Sequence, residues 1–246
     1  MEIQIFVVFH KYIFDDCYKN IPDDILQKNF TFIAVNPSIE KIYTPNKYKV
    51  INEWDLPIYD KTFQERGYNE NSAIYHVYAN ELHKNYNYVG FFQYDMEFLD
   101  PNIIDFLETH ITTSDKTIYF PYELYPFCFS YYISWDQPPN TTLDFIVADY
   151  ESYYKKGVII NDQNPLYNSY IIPTEKYEKI MKWVTQIYEK MYPWCISPPY
   201  PEHHGYIGGI FERVMAFAIM QENMSYISLT ASSKVIHDHK YKEASY

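Results

Sequence analysis

The stretch Tyr88–Phe98, YVGFFQYDMEF, constrains the fold more than any other in the chain. Its first half is apolar without alternation. A strand with one face in water alternates, whereas a strand covered on both faces reads as a continuous apolar run, typical of sheets held between helical layers. Ile3–Phe9, IQIFVVF, reads the same way, so both stretches are expected as central strands of an α/β domain. The second half adds two carboxylates at i and i+2, Asp95 and Glu97. Strand side chains alternate faces, so the two are expected on one side. The carboxyl ends of strands in open α/β sheets border the ligand crevice. Paired carboxylate oxygens there suit Mg²⁺ or Mn²⁺, ions that bridge protein to substrate phosphates. An acidic turn closing a strand is the plain alternative.

Composition narrows the partners. The chain has 246 residues, 47% of them hydrophobic, enough for a sizeable core. Its formal charge is −12 and no basic run tracks a nucleic-acid backbone, which argues against DNA or RNA. An acidic protein acting on a phosphate-bearing substrate needs local positive charge, which a divalent ion supplies. Cys17, Cys128 and Cys195 are odd in number and in no metal spacing, as expected of reduced thiols in a cytoplasmic setting. The start, MEIQIFVVFHK, reads as a first strand rather than a signal peptide, and no integral membrane segment is expected.

Further elements follow from pattern. Pro22–Lys28 reads as a short helix and Phe30–Val35 as a strand, before a loop-like stretch over 36–67 punctuated by prolines. Asn71 or Ser72 caps a helix expected to reach Asn85. Asp100 and Pro101 open another to His110. Strands are expected at Thr117–Phe120, Leu143–Ala148, Gly157–Ile160, Ser169–Ile172 and Tyr226–Leu229. A helix capped by Thr174 carries Tyr177, Ile180, Met181, Val184, Ile187, Tyr188 and Met191 on one face. Residues 193–209 read as a long loop, and Ile210–Gln221 as a buried helix.

Alternation of strands and helices, followed by a mixed second half, resembles the GT-A glycosyltransferases. Their nucleotide-binding half ends in an acidic metal motif. IFVVFHK, GYNENSAIYHVYAN, YVGFFQYDMEF and GYIGGIFERVMAF together resemble the small DUF4422-type glycosyltransferase family, in the same order. Where that family carries an H-Y-R-R-type sequence, this chain has Gln93-Tyr94-Asp95-Met96-Glu97, so the acidic pair rests on general GT-A logic. The resemblance implies a three-layer α/β/α sandwich around a mixed, mostly parallel sheet. It would form one domain over 1–246, with 1–100 the nucleotide-binding half and 101–246 the acceptor-binding half.

The resemblance also implies chemistry: sugar transfer from a nucleotide-diphosphate donor to a carbohydrate or other hydroxyl acceptor, with Mn²⁺ or Mg²⁺ stabilising the departing diphosphate. Asp95 and Glu97 would hold the ion, with His237 as third ligand and His239 next in line; exposed tail residues are the alternative for both histidines. Glu212, near a helix start after Gly208-Gly209, would be the general base, or else a buried acid held by a basic partner. Donor contacts are expected from Phe9, His10 and Lys11 at the end of the first strand, from Tyr94, and from Arg66 and Asn71 before the acidic strand. His203, His204 and Asp149 are candidates for the donor or acceptor sugar, with Asp144 and Asp149 expected around a strand end. A nucleotidyltransferase or a non-catalytic carbohydrate-binding protein are the alternatives, but HKYIFDD after Phe9 lacks the Gly-rich basic loop of the former.

Overall fold

A computed structural model describes residues 2–111, 116–119, 141–159, 165, 167–195, 206–222 and 224–237. Its centre is a seven-stranded sheet in the order β3–β2–β1–β4–β7–β6–β8, built from β1 (Ile3–Phe9), β2 (Phe30–Ala34), β3 (Val50–Asn52), β4 (Tyr88–Gln93), β6 (Lys116–Tyr119), β7 (Tyr170–Pro173) and β8 (Ser225–Ser228). β1 pairs in parallel with β2 and β4, β2 with β3, and β6 with β8; β7 runs against both its neighbours, β4 and β6. The sheet is therefore mixed and mostly parallel, as expected.

β1 shows why its sequence is apolar throughout. Phe6 and Val8 join one core with helices α3 (Glu70–Ala79), α5 (Thr141–Tyr154), α6 (Thr174–Cys195) and α7 (Tyr206–Met220). Ile3, Ile5, Val7 and Phe9 join the opposite core with α1 (Asp23–Asn29) and α4 (Ile103–His110). Both faces are covered, giving three layers. A Cβ at Gly90 in β4 would lie 2.8 Å from Ile171 Cγ1, so this glycine permits the close approach of β7.

Several elements differ from expectation. Leu143–Ala148 is not a strand but part of α5; Ile146 and Tyr150, four apart, are buried, and Tyr150 meets Trp183 of α6 edge-on at 5.0 Å. Gly157–Ile159 forms no strand: the Ile159 N–H donates to Gln221 Oε1 and its carbonyl accepts from Gln221 Nε2, both at 2.8 Å. A side-chain amide thus satisfies the backbone that a neighbouring strand would otherwise satisfy. The stretch 36–67 holds β3 and the short α2 (Thr62–Glu65). α3 stops at Ala79, where Asn80 Nδ2 donates to the carbonyls of His76 and Ile58. α4 starts at Ile103, with Asp100 Oδ1 accepting the Asn102 N–H at 2.9 Å. α6 continues through Pro193 to Cys195 and α7 begins at Tyr206, so both extend into the expected 193–209 loop.

The element that matters most for the site is a small antiparallel ribbon that follows the carboxyl end of β4. β4 ends at Gln93, the chain turns at Tyr94-Asp95, and β5 (Met96–Phe98) pairs with β9 (Val235–His237).

Candidate functional site

The register of the β5–β9 ribbon sets Met96 opposite His237 and Glu97 opposite Ile236. Directly opposed residues of an antiparallel pair share a face and successive residues alternate. His237 therefore projects on the Met96 side, away from Glu97. Asp95 precedes the ribbon in the turn, and its Oδ2 lies 2.8 Å from His237 Nε2. Both side chains are buried, Asp95 at 3% exposure and His237 at 7%. The second Asp95 oxygen, Oδ1, is buried without a hydrogen-bond partner among the described residues. An orphaned buried carboxylate oxygen is costly unless a ligand or ion engages it.

Glu97 sits elsewhere. Its carboxylate lies 3.5 Å from Lys19 Nζ, and the shared strand face expected for Asp95 and Glu97 is not formed, because the strand breaks at Tyr94-Asp95. Among the described residues no group of three His, Cys, Asp or Glu side chains is arranged to hold a metal ion. The geometry brings Asp95 and His237 together and leaves Glu97 apart. His203, His204 and His239 lie outside the described residues.

Glu212 occupies the second turn of α7. The Tyr167 N–H donates to its Oε1 at 2.6 Å. Desolvation pushes the Glu212 carboxyl up to about 7; the Tyr167 N–H and the Arg213 guanidinium pull it down, while the Glu70 carboxylate pushes it up. Glu70, the first residue of α3, is itself raised by desolvation and by Asp95, against the pull of its own backbone N–H. Glu70 thus feels the charge of Asp95 on one side and raises Glu212 on the other, although the three elements are far apart in sequence. Sequence reasoning missed Glu70, which reads there as an ordinary helix-start acid; its only signal was its place beside Asn71 in GYNENSAIYHVYAN.

Asn71 is a structural hub rather than an open donor contact. It is fully buried. Its Nδ2 donates to the carbonyls of Tyr68 (3.0 Å) and Gly208 (3.1 Å), and its Oδ1 accepts from Tyr188 Oη (3.0 Å) and Asn168 Nδ2 (3.4 Å). One amide therefore ties the start of α3 to α6, to α7 and to the turn before β7, with no hydrogen-bonding capacity left for a phosphate. Gly208 belongs to the same junction: a Cβ there would lie 2.4 Å from Asn69 Nδ2 and 3.1 Å from Gly67 O. The glycine pair at 208–209 is thus explained in its first member by close packing. Gly67 and Asn69 both hold positive φ, +76° and +53°.

The remaining expected contacts divide. Phe9 is fully buried between sheet and helices, so no base can stack on it; the half-exposed Tyr43 ring stands edge-on to it at 6.3 Å. His10 and Lys11 remain half-exposed at the carboxyl end of β1, with the Lys11 ammonium 5.0 Å from the Tyr12 ring centre. Tyr94 packs against Phe14 at 5.9 Å, beside Asp95. Arg66 lies over the Tyr192 ring at 4.1 Å and 3.3 Å from Glu189, which turns it toward α6. Asp149 lies on helix α5, not at a strand end, with Oδ1 accepting Trp183 Nε1 at 2.9 Å and Oδ2 paired with Lys190 at 2.5 Å; it joins α5 to α6. Asp144 is in the first turn of the same helix.

No protein-family model matches the chain, and no curated protein matches it. Among solved structures, the chain is similar to the apo structure of WbbM, a bifunctional glycosyltransferase, with a TM-score of 0.62 at 15% identity. The match covers 93% of this chain and 44% of the WbbM chain, so this chain spans less than half of its neighbour's length. The shared architecture is a glycosyltransferase fold. The likeness reaches the fold and not the DUF4422-type family. No described helix is long and apolar enough to cross a membrane.

Proposed function

We propose that the chain transfers a sugar from a nucleotide-diphosphate donor to a carbohydrate or other hydroxyl acceptor, with Mn²⁺ or Mg²⁺ held by Asp95 and His237. The observation that carries this reading is the buried Asp95 Oδ1, left without a partner among the described residues in a carboxylate whose other oxygen meets His237. It lies just past the carboxyl end of β4, next to β1 in the sheet centre, where α/β folds bind ligands. One carboxylate and one imidazole would hold Mn²⁺, while Mg²⁺ would rest on the Asp95 oxygen alone, since its sites use few protein ligands and take the rest from substrate phosphates and water. When bound, the ion supplies the positive charge that the departing diphosphate requires.

The protein's own groups carry the remainder. Glu212, ionised above about pH 7, is suited to take the proton from the acceptor hydroxyl. Burial raises its basicity, and the Tyr167 N–H donates to it at 2.6 Å. His10, Lys11 and Tyr94 flank the ends of β1 and β4 and are the donor-side contacts. Glu97 would act through Lys19 or through water rather than as a direct ligand.

The test is a thermal-shift series with UDP and GDP, each with and without Mn²⁺, followed by a donor-hydrolysis screen across nucleotide sugars. Stabilisation by a nucleoside diphosphate that depends on the metal and disappears in Asp95→Asn is the expected result. Equal stabilisation of wild type and Asp95→Asn, or stabilisation by free sugar alone, would overturn the reading.

A further inference from the structure

Three places outside the reading above hold unused polar chemistry. Glu53, Ser72 and His76 form a hydrogen-bonded trio, but all three are wholly buried, so no substrate reaches them. Lys156, Lys176 and Lys179 gather around Glu222, which already pairs with two of them. The third is the turn before β7, and it carries the inference.

Tyr167 and Asn168 are consecutive non-glycine residues in left-handed backbone, with φ of +61° and +47°. Each such residue costs on the order of 1 kcal/mol, and for a tyrosine the conformation is uncommon. The surroundings hold it there. Asn168 is buried and its Nδ2 reaches the Asn71 hub, while Ser169 Oγ donates to the Tyr167 carbonyl at 3.0 Å. The outcome is that one residue faces both halves of the candidate site. The Tyr167 N–H points at Glu212 Oε1 at 2.6 Å, and the Tyr167 ring meets the His237 ring edge-on, with centroids 4.9 Å apart at 61°. His237 in turn lies 2.8 Å from Asp95.

We propose that Tyr167 is a positioning residue: its backbone N–H orients Glu212 while its ring orients His237, so the strained Tyr167-Asn168 turn holds the carboxylate and the Asp95–His237 pair as one unit. The proposal rests on the glycosyl-transfer reading only for its purpose; the positioning itself is a property of the ligand-free protein. An N–H at 2.6 Å stabilises the ionised carboxyl, and it opposes desolvation and the charge of Glu70; Arg213 acts in the same sense. Removing the N–H therefore moves the Glu212 titration upward. Removing the ring leaves that bond in place but frees the imidazole.

The experiment separates the two contacts by NMR on the protein without donor. Side-chain carboxyl titration with ¹³C-labelled glutamate reads Glu212, assigned through Glu212→Gln; the ring-proton shifts of His237, assigned through His237→Gln, read the aromatic contact. Tyr167→Phe is expected to leave both unchanged. Tyr167→Gly keeps the N–H and tolerates positive φ; it should leave the Glu212 midpoint in place and displace the His237 signals toward exposed-histidine values. Tyr167→Pro lacks the N–H and should raise the Glu212 midpoint, with melting curves reporting whether it folds. His237 signals unmoved in Tyr167→Gly would overturn the proposal even where Tyr167→Pro does not fold. So would an unmoved Glu212 midpoint in a folded Tyr167→Pro. Absence of transfer by the wild type with every donor would instead overturn the functional reading and leave these spectra to decide the positioning.

Discussion

His237 Nε2 and Asp95 Oδ2 meet at 2.8 Å across 142 residues of chain, brought together by the β5–β9 ribbon. The contact ties the end of the central strand β4 to the last described strand. It also fixes which acidic residue meets His237, because the ribbon's alternation turns Glu97 to the other side.

Asp95→Asn and His237→Ala are each expected to lower donor turnover by about 100-fold or more, the scale on which losing one group that stabilises leaving charge is felt. The double variant should be little worse than either single one, as for residues acting as a unit. Glu97→Gln, whose partner is the exposed Lys19, should cost under about tenfold. Steady-state kinetics with saturating Mn²⁺ decide this; a Glu97 effect larger than that of Asp95 would reverse the assignment.

Activity should rise with pH and level off above about pH 7, where the Glu212 carboxyl ionises. Stability should run the other way. The folded-state value lies above the ordinary 4.5, so the native protein holds a proton that the unfolded chain releases; this contribution is complete below about pH 4.5 and is lost as pH rises through about 7. It amounts to about 3 kcal/mol at most. Glu212→Gln should therefore abolish the activity limb while melting above the wild type at pH 8, as calorimetry at pH 5 and pH 8 would reveal.

Glu53 accepts from Ser72 Oγ at 2.6 Å and from Gln64 Nε2 at 2.9 Å, and lies 2.8 Å from His76 Nδ1, while His76 Nε2 accepts the Asp60 N–H at 2.9 Å. Glu53→Ala orphans two buried polar groups, Ser72 and His76, and the half-buried Gln64 amide, and should cost about 3–5 kcal/mol, without a specific loss of donor binding in whatever fraction remains folded. Urea unfolding combined with nucleotide titration tests this. A loss of binding at unchanged stability would give the trio a functional role.

Gly208→Ala should destabilise the protein, since its Cβ would meet Asn69 Nδ2 at 2.4 Å and the Gly67 carbonyl at 3.1 Å. Adding Asn69→Gly removes the nearer obstacle and relaxes a positive-φ residue, so the double variant should recover part of the melting temperature. No recovery would show that the Gly67 carbonyl alone sets the fit.

The candidate site was legible in part. Asp95, Glu212 and His237 stand out in sequence because a carboxylate after an apolar strand, an acid after Gly-Gly and a late histidine have recognisable surroundings. Glu70 and Tyr167 do not, because what marks them is which groups their carboxyl, N–H and ring meet. Asn71 misled for the same reason: a helix-start asparagine reads as a cap or a phosphate contact, and only its four buried hydrogen-bond partners reveal the hub.

By itself the sequence determined the two-sided central strands, the amphipathic face of α6 and hence a layered α/β domain, since burial on one face or both is written in the spacing of apolar residues. Tertiary structure decided the rest. Leu143–Ala148 became helix because helical spacing buries Ile146 together with Tyr150, the latter against Trp183 of α6, overriding local β propensity. Asp95 parted from Glu97 because a turn and a ribbon register intervened. Short apolar runs and paired acids carry no record of their long-range partners, and it is those partners, His237 for Asp95 and Tyr167 for Glu212, that gather separate residues into a candidate site.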